Sequence, residues 1–307
     1  MYDDQEEMLK SLVLLHTVAK AIQFMPKLCR IVYSSGPRLQ SFEKKELRDL
    51  IPPAFHPGSF EAFHHVIGAI HCEQFTSIRE FAVAPFVPGA AFSEQQFSLE
   101  AFRFKDADHL EAGKFFFHNL HKLHLDVNIS IGQGGSSMLD NMARLLCETT
   151  ELRELSLHLT PWKQREHSMY RHVSPEEPIF PRLGLRTTWT SLRMLSIGGV
   201  YANEGTFKDL VDRHRYTLKS LRFELCGLTE GNWTHIVDEV VLTTSIPEFS
   251  LDRVHDVYLG YNVSFEDVHD RENWWFDGQL MVNEKGERYF EEPRTENKKA
   301  YVWPHGR

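Results

Sequence analysis

Three histidines set three residues apart are the first residues in this sequence whose type and spacing suggest chemistry. They are His118, His121 and His124, within the stretch FFFHNLHKLHLDVN. Convergent imidazole nitrogens are zinc ligands, and three of them with a bound water would make a catalytic metal site. The leucines that interleave with them are Leu120, Leu123 and Leu125, and such alternation indicates a strand with one buried face. On a strand His118 and His124 would stand about 20 Å apart, at roughly 3.3 Å per residue, so we expect neither a metal nor a cofactor.

Two further stretches invite a catalytic interpretation, and neither has the spacing that it requires. The segment GQGGSS, residues 132–137, lacks the lysine and hydroxyl ending of a phosphate loop and the glycine spacing of a dinucleotide-binding turn, so we expect a helix start there. His64 and His65 lie on a segment of helical periodicity without a carboxylate pattern. G-x-S-x-G, H-E-x-x-H and kinase motifs are absent from the sequence. We therefore predict that the protein is not an enzyme.

Length, composition and charge restrict the class of partner. The chain has 307 residues, 42% hydrophobic and 25% charged, as expected of a globular protein with a sizeable core. Its formal net charge of −9 argues against nucleic acid, which usually meets a basic face. Lys and Arg are dispersed along the chain, so we expect no membrane anchor either.

Cysteine usage and the N-terminal residues bear on the compartment. The cysteines Cys29, Cys72, Cys147 and Cys226 lie far apart without a C-x-x-C pair, which predicts buried thiols in a reducing compartment. The acidic start MYDDQEEMLK is unlike a secretory signal, and no apolar run reaches about 18 residues. We expect the protein in the cytoplasm or the nucleus.

The apolar skeleton L-x-x-L-x-L recurs along the chain. The clear copies are LHKLHL (from Leu120), LRELSL (from Leu152), LRMLSI (from Leu192) and LKSLRF (from Leu218). The looser copies are LCRIVY (from Leu28), IREFAV (from Ile78), LEAFRF (from Leu99) and IPEFSL (from Ile246). A repeat at intervals of this order indicates an architecture of stacked units.

Segments of helical spacing lie between the copies, so each unit is predicted as a helix, a short turn and a short strand. In MLDNMARLLCE the residues Met138, Leu139, Met142, Leu145 and Leu146 form one apolar helix stripe. Neither element can bury its apolar face alone, and neighbouring units must therefore stack. We predict an α/β solenoid of about eight strand-helix units over residues 1–256, with the proline-rich stretch after Pro161 as a surface insert.

Two copies carry a polar residue three positions after their last apolar one: Asn128 and Cys226. This L-x-x-L-x-L-x-x-N/C pattern resembles the leucine-rich-repeat family. Thr160 and Val200 occupy the same place in the other clear copies, so the asparagine ladder of that family would be interrupted here.

Residues 257–307 are predicted to form an aromatic tail with a hairpin. Alternating residues on either side of NEKG flank a turn signal, with Gly286 suited to positive φ. Such a hairpin would cover the end of the solenoid, because a last repeat otherwise exposes its apolar edge. A WW module is the alternative for this region, but Tyr289 and Trp303 are too widely spaced for its aromatic groove.

The tail adds a second resemblance. The set Trp274, Asp277, Gly278, Gly286, Arg288, Tyr289 and Phe290, followed by YVWPHG, resembles the end of fungal F-box proteins with degenerate leucine-rich repeats. In that family the repeats select substrates for a cullin–RING ubiquitin ligase, which the F-box contacts. No F-box segment beginning near L-P-x-E-I is found, so the resemblance implies only the substrate-binding half of the role, with cullin–RING components as partners if an F-box lies outside this chain.

We therefore predict a protein-interaction scaffold whose partner is a protein, without nucleic acid or membrane. The alternatives are a leucine-rich-repeat subunit without a ubiquitin role and, less favoured, an unrecognised metal-dependent hydrolase. The residues predicted to face the partner lie between and after the inward leucines: Arg103, Lys105, His124, Asp126, Ser156, His158, Arg222, Glu224 and Asp252.

Overall fold

A computed structural model describes residues 13–33, 61–83, 97–129, 135–161, 183–256, 275–282 and 288–291. The protein is of mixed α/β class, with a largely parallel sheet and helices between its strands. The helices are α1 (Val13–Gln23), α2 (Glu61–Cys72), α3 (Ala107–His118), α4 (Gly135–Glu148), α5 (Glu204–His214) and α6 (Trp233–Thr243). The strands are β1 (Arg30–Tyr33), β2 (Glu80–Val83), β3 (Phe97–Ser98), β4 (Lys122–Ile129), β5 (Glu154–Pro161), β6 (Met194–Gly198), β7 (Tyr201–Asn203), β8 (Ser220–Glu224), β9 (Gly227–Glu230), β10 (Glu248–Asp256), β11 (Trp275–Val282) and β12 (Arg288–Glu291).

The strands follow one another across the sheet in chain order. The main path is β1-β2-β4-β5-β6-β8-β10-β11-β12, parallel as far as β10. The short strands lie off this path, with β3 on β4 and β9 joining β7 to β10. Parallel neighbours need a crossover connection, and a described helix lies in the connections β1–β2, β2–β4, β4–β5, β6–β8 and β8–β10.

Inward-pointing apolar residues of the strands form the core. Leu123, Leu155, Leu195, Leu221 and Phe249 align laterally in the sheet, and all are at most 2% exposed. Two residues further along, a second buried row contains Leu125, Leu157, Ile197, Phe223 and Leu251. The alternation predicted from L-x-x-L-x-L is therefore confirmed for these strands.

Helix α4 packs through the apolar stripe that its spacing predicts. The five apolar residues of α4 named above are at most 3% exposed. Side chains of Asn203 and Asn232 accept hydrogen bonds from the backbone N–H groups of Thr206 and Thr234 and so start α5 and α6. Such N-caps satisfy amides that the first turn leaves without partners.

One predicted copy of the repeat is not a strand. Leu99–Phe102 forms a 3-10 turn in which Ser98 Oγ accepts a hydrogen bond from the Glu100 N–H at 3.2 Å. Only Phe97–Ser98 pairs with the sheet, alongside Val127 and Asn128 of β4. Ser at an N-cap favours a turn over an extended chain, and this local preference prevails over the weak apolar pattern.

Helix α3 was not predicted. Its sequence ADHLEAGKFFFH has an N-cap, Asp106, whose side chain accepts from the His109 N–H at 2.8 Å. The three adjacent phenylalanines at its end do not have helical periodicity, and of them only Phe116 and Phe117 are buried. Such a run is ambiguous between helix and strand.

The sheet continues beyond the last parallel strand. Strand β11 pairs antiparallel with β10, and β12 pairs antiparallel with β11, from Gln279 opposite Glu291 to Val282 opposite Arg288. The antiparallel pair predicted on either side of NEKG is thus confirmed, while the turn itself lies outside the described residues. The boundary at residue 257 falls in a segment that is likewise not described.

Candidate protein-interaction surface

Three rows of residues on the face opposite the inward leucines cross the parallel strands, one residue per strand, because the register is kept from strand to strand. The first row contains Glu80, Lys122, Glu154, Met194, Ser220 and Glu248. The middle row contains Ala82, His124, Ser156, Ser196, Arg222 and Ser250. The end row contains Asp126, His158, Gly198, Glu224 and Asp252. We call these rows together the polar face.

His158 lies across the neighbouring strand in the centre of the polar face. A Cβ on Gly198 would stand 2.6 Å from His158 Nδ1, so the imidazole occupies the space above this glycine. Its Nε2 is 3.2 Å from Ser196 Oγ, and its Nδ1 is 3.8 Å from a carboxylate oxygen of Glu224. The glycine thus permits a histidine of β5 to reach a carboxylate of β8 over β6.

Arg222 connects the two acids at one end of this face. Its guanidinium lies 3.1 Å from the carboxylate of Glu224 and 3.0 Å from that of Asp252, and 48% of the side chain is exposed. Exposed pairs of this kind contribute little to stability, about 0–1 kcal/mol each. Their effect is to hold charged groups in defined positions on an accessible surface.

The first row contains alternating charges. Lys122 Nζ lies 2.5 Å from Glu154, and the Arg30 guanidinium lies 2.8 Å from Glu80. His124 Nε2 is 4.0 Å from the second oxygen of Glu154. Burial lowers the pKa of His124, against the opposing effect of the carboxylates of Glu154 and Glu80, so its neutral form is favoured.

Ser196, His158 and Glu224 stand in the order of a nucleophile, a base and an acid, which raises the hydrolase alternative. Such a site also needs N–H donors for an oxyanion. The N–H of Gly199, the residue that follows β6, already donates a hydrogen bond to the backbone oxygen of Glu224 at 2.9 Å, so it is not available to an oxyanion. The 3.8 Å separation between His158 and Glu224 is also long for a hydrogen bond. The geometry favours a polar contact network over a catalytic one.

The three histidines of the FFFHNLHKLHLDVN stretch lie in different elements. His118 ends helix α3 and is exposed, His121 lies in the turn before β4, and His124 lies in the middle row. Within the described ranges, no group of three or more His, Cys, Asp or Glu residues has the geometry to hold a metal ion. None of the helices described has the length and apolar character needed to cross a bilayer.

The predicted partner-facing residues are brought together except for two. His124, Ser156 and Arg222 share the middle row, and Asp126, His158, Glu224 and Asp252 share the end row.

Arg103 and Lys105 follow the 3-10 turn and are exposed outside the rows, so their predicted place on the sheet is wrong. Arg103 instead pairs with Glu100 at 3.2 Å. A partner contact by either residue stays a prediction.

The cysteine prediction also needs correction. Cys29, Cys72 and Cys147 are exposed, and Cys226 alone among the four is buried. The Cys226 thiol donates to the backbone oxygen of Ile197 at 3.4 Å, and burial raises its pKa to about 12. The cysteine at the position of the L-x-x-L-x-L-x-x-N/C pattern is thus the one that packs inside.

Sequence reasoning missed Ser196 of the middle row, Gly198 of the end row and Glu154 of the first row. For Ser196 and Gly198 the signal was present, because each occupies the same position of its repeat copy as a residue that was chosen. Aligning the copies in columns would have found these two. Glu154 aligns with Lys122 and Met194, and no residue was chosen at that position in any copy.

Neither the comparison with family models nor the comparison with curated proteins found a match for this chain.

Proposed function

We propose that this protein is a leucine-rich-repeat-like scaffold that binds a protein partner through the polar face. The observation that carries the proposal is the sheet register, which places Asp126, His158, Glu224 and Asp252 in one row beside the middle row. Strands in chain order with inward leucines are the arrangement by which a solenoid leaves its intervening residues for recognition.

The chemistry of the face suits a polar protein surface. Small residues, Ser156, Ser196 and Gly198, lie at its centre, and charged or imidazole groups lie around them. Side chains already held in pairs lose less conformational freedom on binding than free ones, which favours specific contacts. The buried thiol of Cys226, donating to a backbone oxygen of the preceding strand, further supports a repeat-like packing between units.

A more specific role follows from the resemblance of the tail: substrate recognition in an F-box-type ubiquitin ligase. In that role the polar face would contact the substrate, and cullin–RING components would associate through a segment outside the face. A repeat subunit without a ubiquitin role is the alternative.

The experiment is a quantitative pull-down from the native source with three baits: the wild-type chain, Arg222→Gln and Arg144→Gln. Both variants remove one exposed arginine, the first from the polar face and the second from helix α4. We expect a partner that the wild type and Arg144→Gln retain and that Arg222→Gln loses. Ser156→Arg, which places a long cation in the centre of the face, should lose the same partner.

The same experiment separates the two roles. Cullin–RING components recovered with all three baits would favour the ligase role, because their contact does not involve the polar face. A partner lost only with Arg222→Gln, without such components, would favour the subunit role. Equal recovery of every protein by all baits would contradict the use of the polar face.

A further inference from the structure

A row of basic residues crosses the sheet where the parallel strands begin. It contains Arg79, His121, Arg153, Arg193 and Lys219, each following the first apolar residue of its repeat copy. From His121 onward, the backbone N–H of each residue donates to the carbonyl oxygen of the residue before it in this set, at 2.7 Å in every case. These residues are therefore lateral neighbours, each one residue before the start of β2, β4, β5, β6 or β8, and we call them the basic row.

The last three members of the basic row in chain order have accessible charges. Arg153, Arg193 and Lys219 are exposed, and their side chains form no hydrogen bond or ion pair with any residue that the structure describes. Arg79 is less available, because its guanidinium donates to the backbone oxygen of Asn119 at 3.1 Å, at the end of helix α3.

The pKa of His121 is affected by the charges of its neighbours in the basic row. Burial lowers its pKa most, and the positive charges of Arg153 and Arg79 lower it further, against the carboxylate of Glu151. The imidazole is therefore held in its neutral form between two guanidinium groups.

The basic row differs from the polar face in the way its charges are compensated. On the polar face Arg222 lies against two carboxylates, at 3.1 and 3.0 Å. In the basic row like charges stand on adjacent strands, which is destabilising for a sheet. Arg153 and Arg193 form no ion pair within the described ranges, so an anion from outside would reduce this repulsion.

We infer that the basic row is a docking surface for an extended acidic segment of a partner protein, rich in Asp and Glu, that runs across the strands. Strands lie about 4.8 Å apart, so the five positions span about 19 Å. An extended peptide presents alternate side chains about 6.7 Å apart, so that about three carboxylates would face the row. The basic row adjoins the first row of the polar face but shares no residue with it, and the inference does not depend on the function proposed for the polar face.

An acidic peptide fits this surface better than a nucleic acid does. The carboxylates of Glu80 and Glu154 lie one residue from the row, and the whole chain has a net charge of −9. A nucleic acid brings a continuous line of charge and would meet those acids, whereas a peptide places discrete carboxylates and lets its other side chains avoid them.

The test measures binding of a fluorescent peptide of about ten alternating Glu and Ser residues to the full chain, by anisotropy at low ionic strength. The row variant is Arg153→Glu with Arg193→Glu, and the matched control is Lys20→Glu with Arg144→Glu, which makes the same charge change on helices α1 and α4. We expect the row variant to bind about tenfold more weakly than the control, because it loses two exposed ionic contacts that each change affinity by up to about fivefold.

Three results would overturn the inference. They are no saturable binding of the peptide by the wild type, equal weakening by both double variants, and tighter binding of single-stranded DNA or phosphatidylserine vesicles than of the peptide. Thermal unfolding checks that the variants fold. If Arg153→Glu with Arg193→Glu does not fold, the test is repeated with Arg193→Gln and Lys219→Gln together, which create no new acid.

Discussion

Two adjacent glycines, Gly198 at the end of β6 and Gly199 directly after it, should differ in how strongly alanine destabilises the protein. A Cβ on Gly198 would meet His158 Nδ1 at 2.6 Å, an atom of a side chain that can rotate away. A Cβ on Gly199 would stand 1.9 Å from the backbone oxygen of Leu159, and Gly199 has a φ of +67°. The first obstacle can move, and the second is part of the sheet.

The magnitudes follow from these contacts. Gly198→Ala loses the contact between His158 and Ser196, about 0.5–1.5 kcal/mol, and regains about 0.5–1 kcal/mol because alanine is favoured over glycine in a strand. Its net effect on the free energy of unfolding should stay within about 1 kcal/mol. Gly199→Ala adds about 1–3 kcal/mol of backbone strain to at least one displaced sheet hydrogen bond, so we expect a loss of about 3 kcal/mol or more.

Urea unfolding followed by circular dichroism measures both variants against the wild type at one pH. The expected order of stability is wild type close to Gly198→Ala, with Gly199→Ala far below. If Gly199→Ala unfolds within about 1 kcal/mol of the wild type, or if the two variants are equally destabilised, the described path of the chain at the end of β6 is wrong.

Three further results are expected. Leu155→Ala, in the buried row, should lose about 2–5 kcal/mol, while Ser156→Ala should change the free energy of unfolding by less than about 0.5 kcal/mol; comparable losses would contradict the alternation. Burial lowers the pKa of His214, whose Nε2 accepts the backbone N–H of Trp189 at 3.0 Å. The neutral imidazole therefore contributes fully to stability above about pH 6.5, and this contribution is lost as the pH falls through the lowered pKa of the folded state. Urea titrations should therefore show a steeper loss below about pH 6.5 for the wild type than for His214→Gln, and parallel profiles would count against a buried neutral imidazole. A thiol reagent should modify Cys29, Cys72 and Cys147 in the native protein and Cys226 only after unfolding, as intact mass would show.

The sequence predicted the parts of the fold in which local pattern and tertiary environment agree. The leucines of LHKLHL and LRELSL alternate as strand residues must when one face is buried, and both stretches form parallel strands. The apolar stripe of α4 is as informative because five buried residues repeat at helical spacing. In these elements the periodicity alone identifies the structure.

The failures have local physical causes. LEAFRF has the apolar spacing of a strand, but the N-cap formed by Ser98 starts a 3-10 turn. A buried polar cluster was also not predicted: the Trp189 indole donates to Thr149 Oγ1 at 3.0 Å, and its backbone N–H donates to His214. These residues are 25 and 40 positions apart in sequence, and no local pattern joins them.

The candidate surface could be predicted in part. Alternation identified His124, Ser156 and Arg222 as outward residues, and the register placed them in one row. The contact of His158 with Glu224 over Gly198 depends on the lateral order of three strands. The predicted stacking of units implies this order, but it does not predict that a side chain of β5 reaches over the glycine of β6 to β8.

Carboxyl-group footprinting of the chain, free and bound to the partner recovered in the pull-down, tests the central claim most directly. The acids of the polar face are Glu80, Asp126, Glu154, Glu224, Glu248 and Asp252. Exposed acids on helices, such as Asp108, Glu111 and Asp209, provide the comparison. We predict that labelling falls on the polar face and is unchanged on the helices. Protection confined to the helices, with the acids of the polar face labelled as in the free chain, would contradict it.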